Sequence, residues 1–303
     1  MLRIFIVLGL SWLAFSAHAA GKLQVFTCEP EWAALVNELA GDRTAIYQAT
    51  TALQDPHHIE ARPSLIAKMR KADLLVCSGA GLEAGWLPLV IRQSANRNIL
   101  PGQPGHFEAA MQVSRLDVPE RVDRSLGDVH AQGNPHVHLD PRRVLQIAAA
   151  LRDRLMMIDA GNSQYYQQRY TAFETAWRDA IKQWEAIAKP LRGVNVVVHH
   201  RDSVYLFDWL GMNIVVSLEP KPGIAPAAGY LGEVKQHLKQ QPADLVVYAA
   251  YQHSRAARWI SREMNIPLVK LPYTVGATPT ATSLKGLFDD TLSHLLAALG
   301  QSS

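Results

Sequence analysis

The sequence predicts an α/β protein: two doubly wound parallel-sheet lobes joined by one long, rigid connecting helix, with a ligand site in the cleft. Three observations carry this expectation. Short apolar runs alternate with helical patterns before residue 80, the same rhythm returns after residue 190, and between them "SQYYQQRYTAFETAWRDAIKQWEAIA" runs 26 positions without Gly or Pro. A chain of 303 residues that is 48% hydrophobic can bury cores for two lobes of about 100 to 150 residues each.

Taken in order, "MLRIFIVLGLSWLAFSAHAA" has one Arg, an apolar run of about twelve residues and a small-x-small cleavage site at Ala17-His18-Ala19. It reads as a signal peptide over residues 1–20. Ile4 to Phe15 is too short to span a hydrocarbon core of ~30 Å, so the mature protein is expected to be exported and not membrane-spanning. Next come the strands "LQVFTC", "TAIYQAT" and "ADLLVCSGA". Between them lie the helices "PEWAALVNELAG", stopped by Gly41, and "RPSLIAKMRKA", with Pro63 in its first turn.

The segment from about Gly102 to Gly133 reads as a loop carrying His106 and His130. "DPRRVLQIAAALRDRLMMID" then forms an amphipathic helix with Val144, Ile147, Leu151 and Leu155 on one face. The helix from about Ser163 to Ala188 would span ~39 Å, the width of a domain. Its aromatics, Tyr165, Tyr166, Tyr170, Phe173, Trp177 and Trp184, are read as packing against both lobes. The second lobe has strands "NVVVHH", "MNIVVSLEP", "ADLVVYAA" and "IPLVKLPY", separated by "SVYLFDWLG", "GYLGEVKQHLKQQ" and "SRAARWISREMN". The expected division is 21–160 for the N-terminal lobe, 161–190 for the connecting helix and 191–303 for the C-terminal lobe.

The net charge of +3 comes from 30 basic and 27 acidic residues that are interspersed. No basic block with interleaved aromatics stands out, which argues against nucleic acid. Cys28 and Cys77 each end an apolar run. If those runs are neighbouring parallel strands, both cysteines lie at one sheet edge. A disulfide, two buried thiols or a soft-metal site all fit that placement.

Ligands bind open parallel sheets outside the carboxyl ends of the strands. His57 and His58 follow the second strand, His199 and His200 end "VNVVVHH", and His136 and His138 enter a helix through "NPHVHLDP". Strand alternation sends only one of His199 and His200 into the cleft. A single buried histidine is more often a hydrogen-bonded core residue than a ligand, but three convergent clusters reverse that weighting. Neutral imidazole is the commonest side-chain metal ligand. His237, His253 and His294 are read as surface or packing residues.

The signal peptide, "DPHHIEARPS", "NPHVHLDP", "VVHHRDSVYLFDWLG" and "SLEPKPGIAPAAGYLGEV", in this order and flanking a long helix, resemble the periplasmic metal receptors of ABC importers, the ZnuA/TroA type. The resemblance covers essentially the whole mature chain. It implies a solute-binding protein, not an enzyme, that carries a divalent metal as a monomer to a membrane permease and its ATPase. It also implies three ligands: His57, six residues before Pro63; His136 of the N-P-H motif; and His200, eleven residues before Gly211. His138 stands where the family has Trp, and either joins the site or fills the aromatic's place. The family's fourth ligand, a carboxylate after a late strand, has no counterpart in "IPLVKLPYTVG", leaving Glu219, Glu60, Tyr273 or a water as candidates. A site dominated by imidazoles suits Zn2+, with Cu2+ and Ni2+ competing by affinity and Mn2+ favouring oxygen donors.

Two other readings compete with this one. His136, His138 and Asp140 match the H-x-H-x-D spacing of some zinc hydrolases, although Asp140 before Pro141 is also explained as a helix cap. A manganese, copper or nickel receptor of the same fold is the other.

Overall fold

A computed structural model describes residues 21–120, 127 and 130–300; the expected signal peptide lies outside the described residues. The first sheet contains β1 (Leu23–Thr27), β2 (Thr44–Gln48), β3 (Leu74–Cys77) and β4 (His106–Glu108), all parallel, in the order β2-β1-β3-β4. The second contains β5 (Asn195–Val198), β6 (Asn213–Ser217), β7 (Leu245–Ala249) and β8 (Leu268–Leu271), again parallel, in the order β6-β5-β7-β8. The two halves therefore repeat one topology. Each sheet has the order reversal that opens a ligand crevice at the carboxyl ends of its strands.

Helices fill both faces of each sheet. They are α1 (Pro30–Ala40), α2 (Pro63–Met69), α3 (Leu87–Ser94), α4 (Pro141–Ile158), α5 (Ser163–Ile187), α6 (Val204–Leu210), α7 (Ala228–Gln240), α8 (Arg255–Met264) and α9 (Leu284–Ala298). Strand alternation sorts the side chains between layers. Val25 faces a central core with Leu35, Leu151 and Trp177, whereas Phe26 faces an outer core with Leu65 and Val90. In β5, Val196 and Val198 join the central core, and Val197 packs outward with Val234, Leu238 and Ile260.

That central core runs through both lobes without a break. The expected face of α4, Val144, Ile147, Leu151 and Leu155, is buried in it, as are Tyr166, Tyr170, Phe173, Trp177 and Trp184 of α5. Phe288 of α9 packs against Trp177 and Trp184, with centroids 5.6 and 4.9 Å apart. Polar ties fix the two ends of α5. Arg169 Nε donates to Glu38 O at 2.8 Å, and Trp184 Nε1 donates to Asp289 Oδ1 at 2.7 Å. A helix held on both sides this way is a strut between lobes.

Two features differ from the sequence expectation. Residues 102–133 are not one loop, because β4 pairs with β3 and completes the first sheet. Three residues, "HFE", are too few for alternation to announce a strand. His106 thus sits on an edge strand, its Nδ1 hydrogen-bonded to Ile99 O at 2.9 Å. The helix α3, two turns long, fills the return between β3 and β4.

Cys28 and Cys77 are joined by a disulfide with Cα atoms 4.8 Å apart. They fall together because β1 and β3 are paired neighbours. Among the described residues, no helix is long and apolar enough to cross a membrane.

Candidate metal centre

Three loops at the carboxyl edges carry the site, and two of them use the same local device. In Asp55-Pro56-His57 the Asp55 Oδ1 accepts from the His57 backbone N at 3.0 Å. In Asn134-Pro135-His136 the Asn134 Oδ1 accepts from the His136 N, also at 3.0 Å. Each is an Asx turn stiffened by a proline whose φ is fixed. The D/N-P-H pattern in the sequence is thus a backbone bend that presents a histidine. Asn134 Nδ2 also donates to Arg201 O at 2.7 Å, tying the second loop to the residue after His200.

The donor nitrogens of His57, His136 and His200 lie within 4.8 Å of one another, and all three residues are buried. Their ring centroids are 5.7 to 6.0 Å apart. On each ring, Nδ1 is engaged from behind. His57 Nδ1 meets Asp55 Oδ1 at 2.7 Å, His200 Nδ1 meets Glu219 Oε2 at 2.7 Å, and His136 Nδ1 meets the Tyr273 hydroxyl at 2.9 Å. A ring whose Nδ1–H donates to such a partner keeps the Nε2 lone pair free, the arrangement usual for metal-binding histidines. The Nε2 of His136 is fully buried with no hydrogen-bond partner. A buried polar atom left unsatisfied is costly, and a cation would satisfy it.

Tyr273 follows β8 and has φ +70°, a left-handed conformation that costs a bulky residue energy. Its carbonyl accepts from His138 Nε2 at 3.0 Å while its hydroxyl holds His136. Burial, then the charges of Tyr251, Glu31, Asp202 and Glu29, push its pKa well up, so the hydroxyl keeps its proton.

The electrostatics differ from ring to ring. Burial, followed by the charges of His57 and His200 and its other neighbours, holds His136 well below the ordinary histidine range. The same causes hold His130 down at about 3. Burial alone would lower His200 too, but the Glu219 hydrogen bond and the charges of Asp202, Glu219 and Asp55 outweigh it and raise the pKa. Burial likewise works against the Asp55 carboxylate, yet the hydrogen bond and charge of His57 outweigh it and lower its pKa.

The remaining candidates sort by contact. His138 is buried away from the cluster, edge-on to Trp32 and Tyr273, with Nδ1 3.3 Å from Glu31 Oε1. It fills an aromatic's place. Asp140 caps α4 through Arg142 N at 2.8 Å and pairs with Arg142 and Arg143. The hydrolase reading of His136, His138 and Asp140 fails on these contacts, since two of its three residues are committed elsewhere. His199 points away from the cluster, 3.8 Å from Glu219 Oε1. His58 and Glu60 are exposed. Glu219 and Tyr273 stand behind the imidazoles. Of His237, His253 and His294, the last hydrogen-bonds Lys270 O at 2.9 Å, and none joins the cluster.

Sequence reasoning gave no role to Asp55 or Asn134, although both were visible two residues before a histidine. It also missed the buried acids Glu29, Glu31 and Glu83, the last of them beside the disulfide. Their position depends on how β1 and β3 meet, which no local pattern records.

Known proteins share this architecture. A crystal structure of ZnuA superposes with a TM-score of 0.72 at 18% identity, covering 92% of this chain and 97% of that one. The SBP FpvC from Pseudomonas aeruginosa in complex with Mn2+ gives 0.78 at 20% identity, covering 92% and 99%. At these identities the likeness shows the fold. In sequence, the high-affinity zinc uptake system protein ZnuA of Yersinia pestis is 24% identical over 62% of this chain and 63% of its own length. The ZnuA of Bacillus subtilis (strain 168) is 22% identical over 82% and 78%. The manganese ABC transporter substrate-binding lipoprotein PsaA of Streptococcus pneumoniae is 24% identical over 57% and 55%. The family described as "Zinc-uptake complex component A periplasmic" matches residues 25–300, nearly the whole described chain. With its fold, its three histidine loops and that match together, the chain belongs to the ZnuA family of periplasmic zinc-uptake components.

Proposed function

We propose that this protein is a periplasmic solute-binding protein, not an enzyme, that captures a divalent transition metal, zinc first, and delivers it as a monomer to an ABC-type permease and its ATPase. His57, His136 and His200 are the proposed ligands. The observation that carries this is the gathering of three buried imidazoles from both lobes, each braced at Nδ1. Two nitrogens on one tetrahedral zinc ion stand about 3.3 Å apart, so separations of up to 4.8 Å close when facing rings draw together by about 1.5 Å. The family membership supports the delivery role, and the signal-peptide pattern of residues 1–20 supports export and cleavage.

Manganese is the second reading, because PsaA is a similar protein named for that metal and the similar FpvC structure is a complex with Mn2+. The donor set weighs against it. Manganese suits carboxylate and carbonyl oxygens, while the nearby oxygens of Asp55, Glu219 and Tyr273 are engaged with ring nitrogens.

The test is elemental analysis of the purified mature protein, then competitive titration of the metal-stripped form with Zn2+, Mn2+, Cu2+ and Ni2+. One zinc per chain, bound far more tightly than manganese, is expected. His57→Ala, His136→Ala and His200→Ala should each weaken zinc by more than ~100-fold, beyond the usual cost of losing an outer-layer partner. His237→Ala and His294→Ala should change it little. Equal affinity in all five variants would remove the site.

A further inference from the structure

We propose that His130 is a fourth metal ligand, making the inner shell all-imidazole where the family pattern has a carboxylate after β8; this rests on the metal-receptor reading above. The His130 Nε2 lies 3.4 Å from the His57 Nε2. Two nitrogens sharing one zinc at ~2.05 Å in a tetrahedral site stand about 3.3 Å apart. The His130 ring stacks on His57 at 5.4 Å and meets His136 edge-on at 6.1 Å. It therefore borders the cluster on the side of His57 and His136, just outside the three rings whose nitrogens all lie within 4.8 Å of one another.

The Gly81 backbone lies against the Nδ1 side of the His130 ring. A side chain at Gly81, where φ is +88°, would bring its Cβ to 3.5 Å from the His130 Nδ1. With the His57 Nδ1–H donated to Asp55, its Nε2 presents a lone pair toward His130. The 3.4 Å contact is longer than an ordinary N–H hydrogen bond. A cation between the two nitrogens would engage both.

The loop geometry holds His130 in place. Its carbonyl accepts from Gly133 N at 3.0 Å, and Asn134 N donates to Leu116 O at 2.8 Å. The same short turn thus leads from His130 into the Asx turn that presents His136. The carboxylate oxygens of Asp55 and Glu219 that face the rings already hold ring nitrogens. Glu219 Oε2 accepts from Gly223 N at 2.8 Å besides holding His200. The consequence is selectivity. Four neutral nitrogen donors favour zinc, copper and nickel over manganese, and Asp55 and Glu219, one layer out, supply the balancing charge.

The experiment compares wild type, His130→Ala, His130→Asp and the edge-strand control His106→Ala, each first shown to keep the wild-type melting temperature without metal. Zinc and manganese affinities are read by competition, and the number of imidazoles on bound zinc by X-ray absorption. His130→Ala should still bind one zinc, roughly 10- to 100-fold more weakly, with the imidazole count falling from four to three and free imidazole restoring affinity. His130→Asp should narrow the preference for zinc over manganese. Wild-type affinity and an unchanged imidazole count in His130→Ala, alongside lost binding in His136→Ala, would overturn this proposal and leave the receptor reading intact. Failure of the wild type to bind zinc would overturn both.

Discussion

The Tyr273 hydroxyl stands 2.9 Å from His136 Nδ1, in the segment after β8 where the family resemblance implies a metal-binding carboxylate. The position has kept its place in the site and changed its layer. It braces a proposed ligand where the family pattern would bind the ion, and the left-handed backbone at Tyr273 accompanies contacts of both its hydroxyl and its carbonyl with histidines.

Tyr273→Phe therefore removes one hydrogen bond and little packing. Zinc affinity should fall by about 10-fold, within the range seen when an outer-layer partner is lost, while the melting temperature of the metal-free protein changes little. Competitive titration checks this, and an unchanged affinity would mean that the hydroxyl does not orient His136.

Glu219 raises the His200 pKa, so protons compete with metal at His200 from above the ordinary histidine value of about 6.5 downward. Wild-type affinity should decline as pH falls through that raised pKa. In Glu219→Gln the decline should move to lower pH, and affinity at pH 8 should drop about 10-fold because the ligand is less basic and less well oriented. Superimposable curves of affinity against pH would contradict the role given to Glu219.

Beside the disulfide, Glu83 accepts from Ser78 N at 2.8 Å and Gly79 N at 3.1 Å, yet burial pushes its pKa up to about 7. Burial, then the charges of Glu83 and Glu31, raises Glu29 as well. An acid whose folded pKa is raised contributes stability that is present below its unfolded value and lost as pH rises through the folded one. His130 and His136 act oppositely. Their depressed pKa values cost stability as pH falls below about 6.5. Glu83→Gln should thus spare the metal-free protein its loss at high pH, gaining on the order of 2 kcal/mol relative to wild type between pH 5 and pH 8. Urea unfolding at both pH values measures it, and an equal change in both proteins would refute the assignment.

The bond between Cys28 and Cys77 closes a loop across a sequence separation of 49 residues. On the loop-entropy account its reduction should cost about 4 kcal/mol. Intact mass under thiol-alkylating conditions should show no free thiol, and reductant should lower the melting temperature. Two alkylated cysteines in the untreated protein would reject the bond.

Among the described residues, seven of the eight strands were legible as apolar runs of four to five residues bounded by turns. The eighth, "HFE", is recognised only by its pairing with β3. The long helix was legible because nothing in it breaks a helix, and its aromatics fell in the core as expected. The three histidines were visible through the D/N-P-H bends and the strand-end pair. Their braces were not. Glu219 reaches His200 across 19 residues and Tyr273 reaches His136 across 137, so both contacts depend on the register of separate elements. His130 is six residues from His136 in sequence, yet only the folded turn brings it to His57.

The central claim is that one ion is held by Nε2 atoms drawn from both lobes. Anomalous diffraction collected on either side of the zinc absorption edge, from crystals of the mature protein carrying one equivalent of zinc, tests it most directly. The expected result is a single strong peak about 2.0 to 2.1 Å from the Nε2 atoms of His57, His136 and His200. A peak at any other side chains, or zinc bound through the Nδ1 atoms now held by Asp55, Glu219 and Tyr273, would contradict the account.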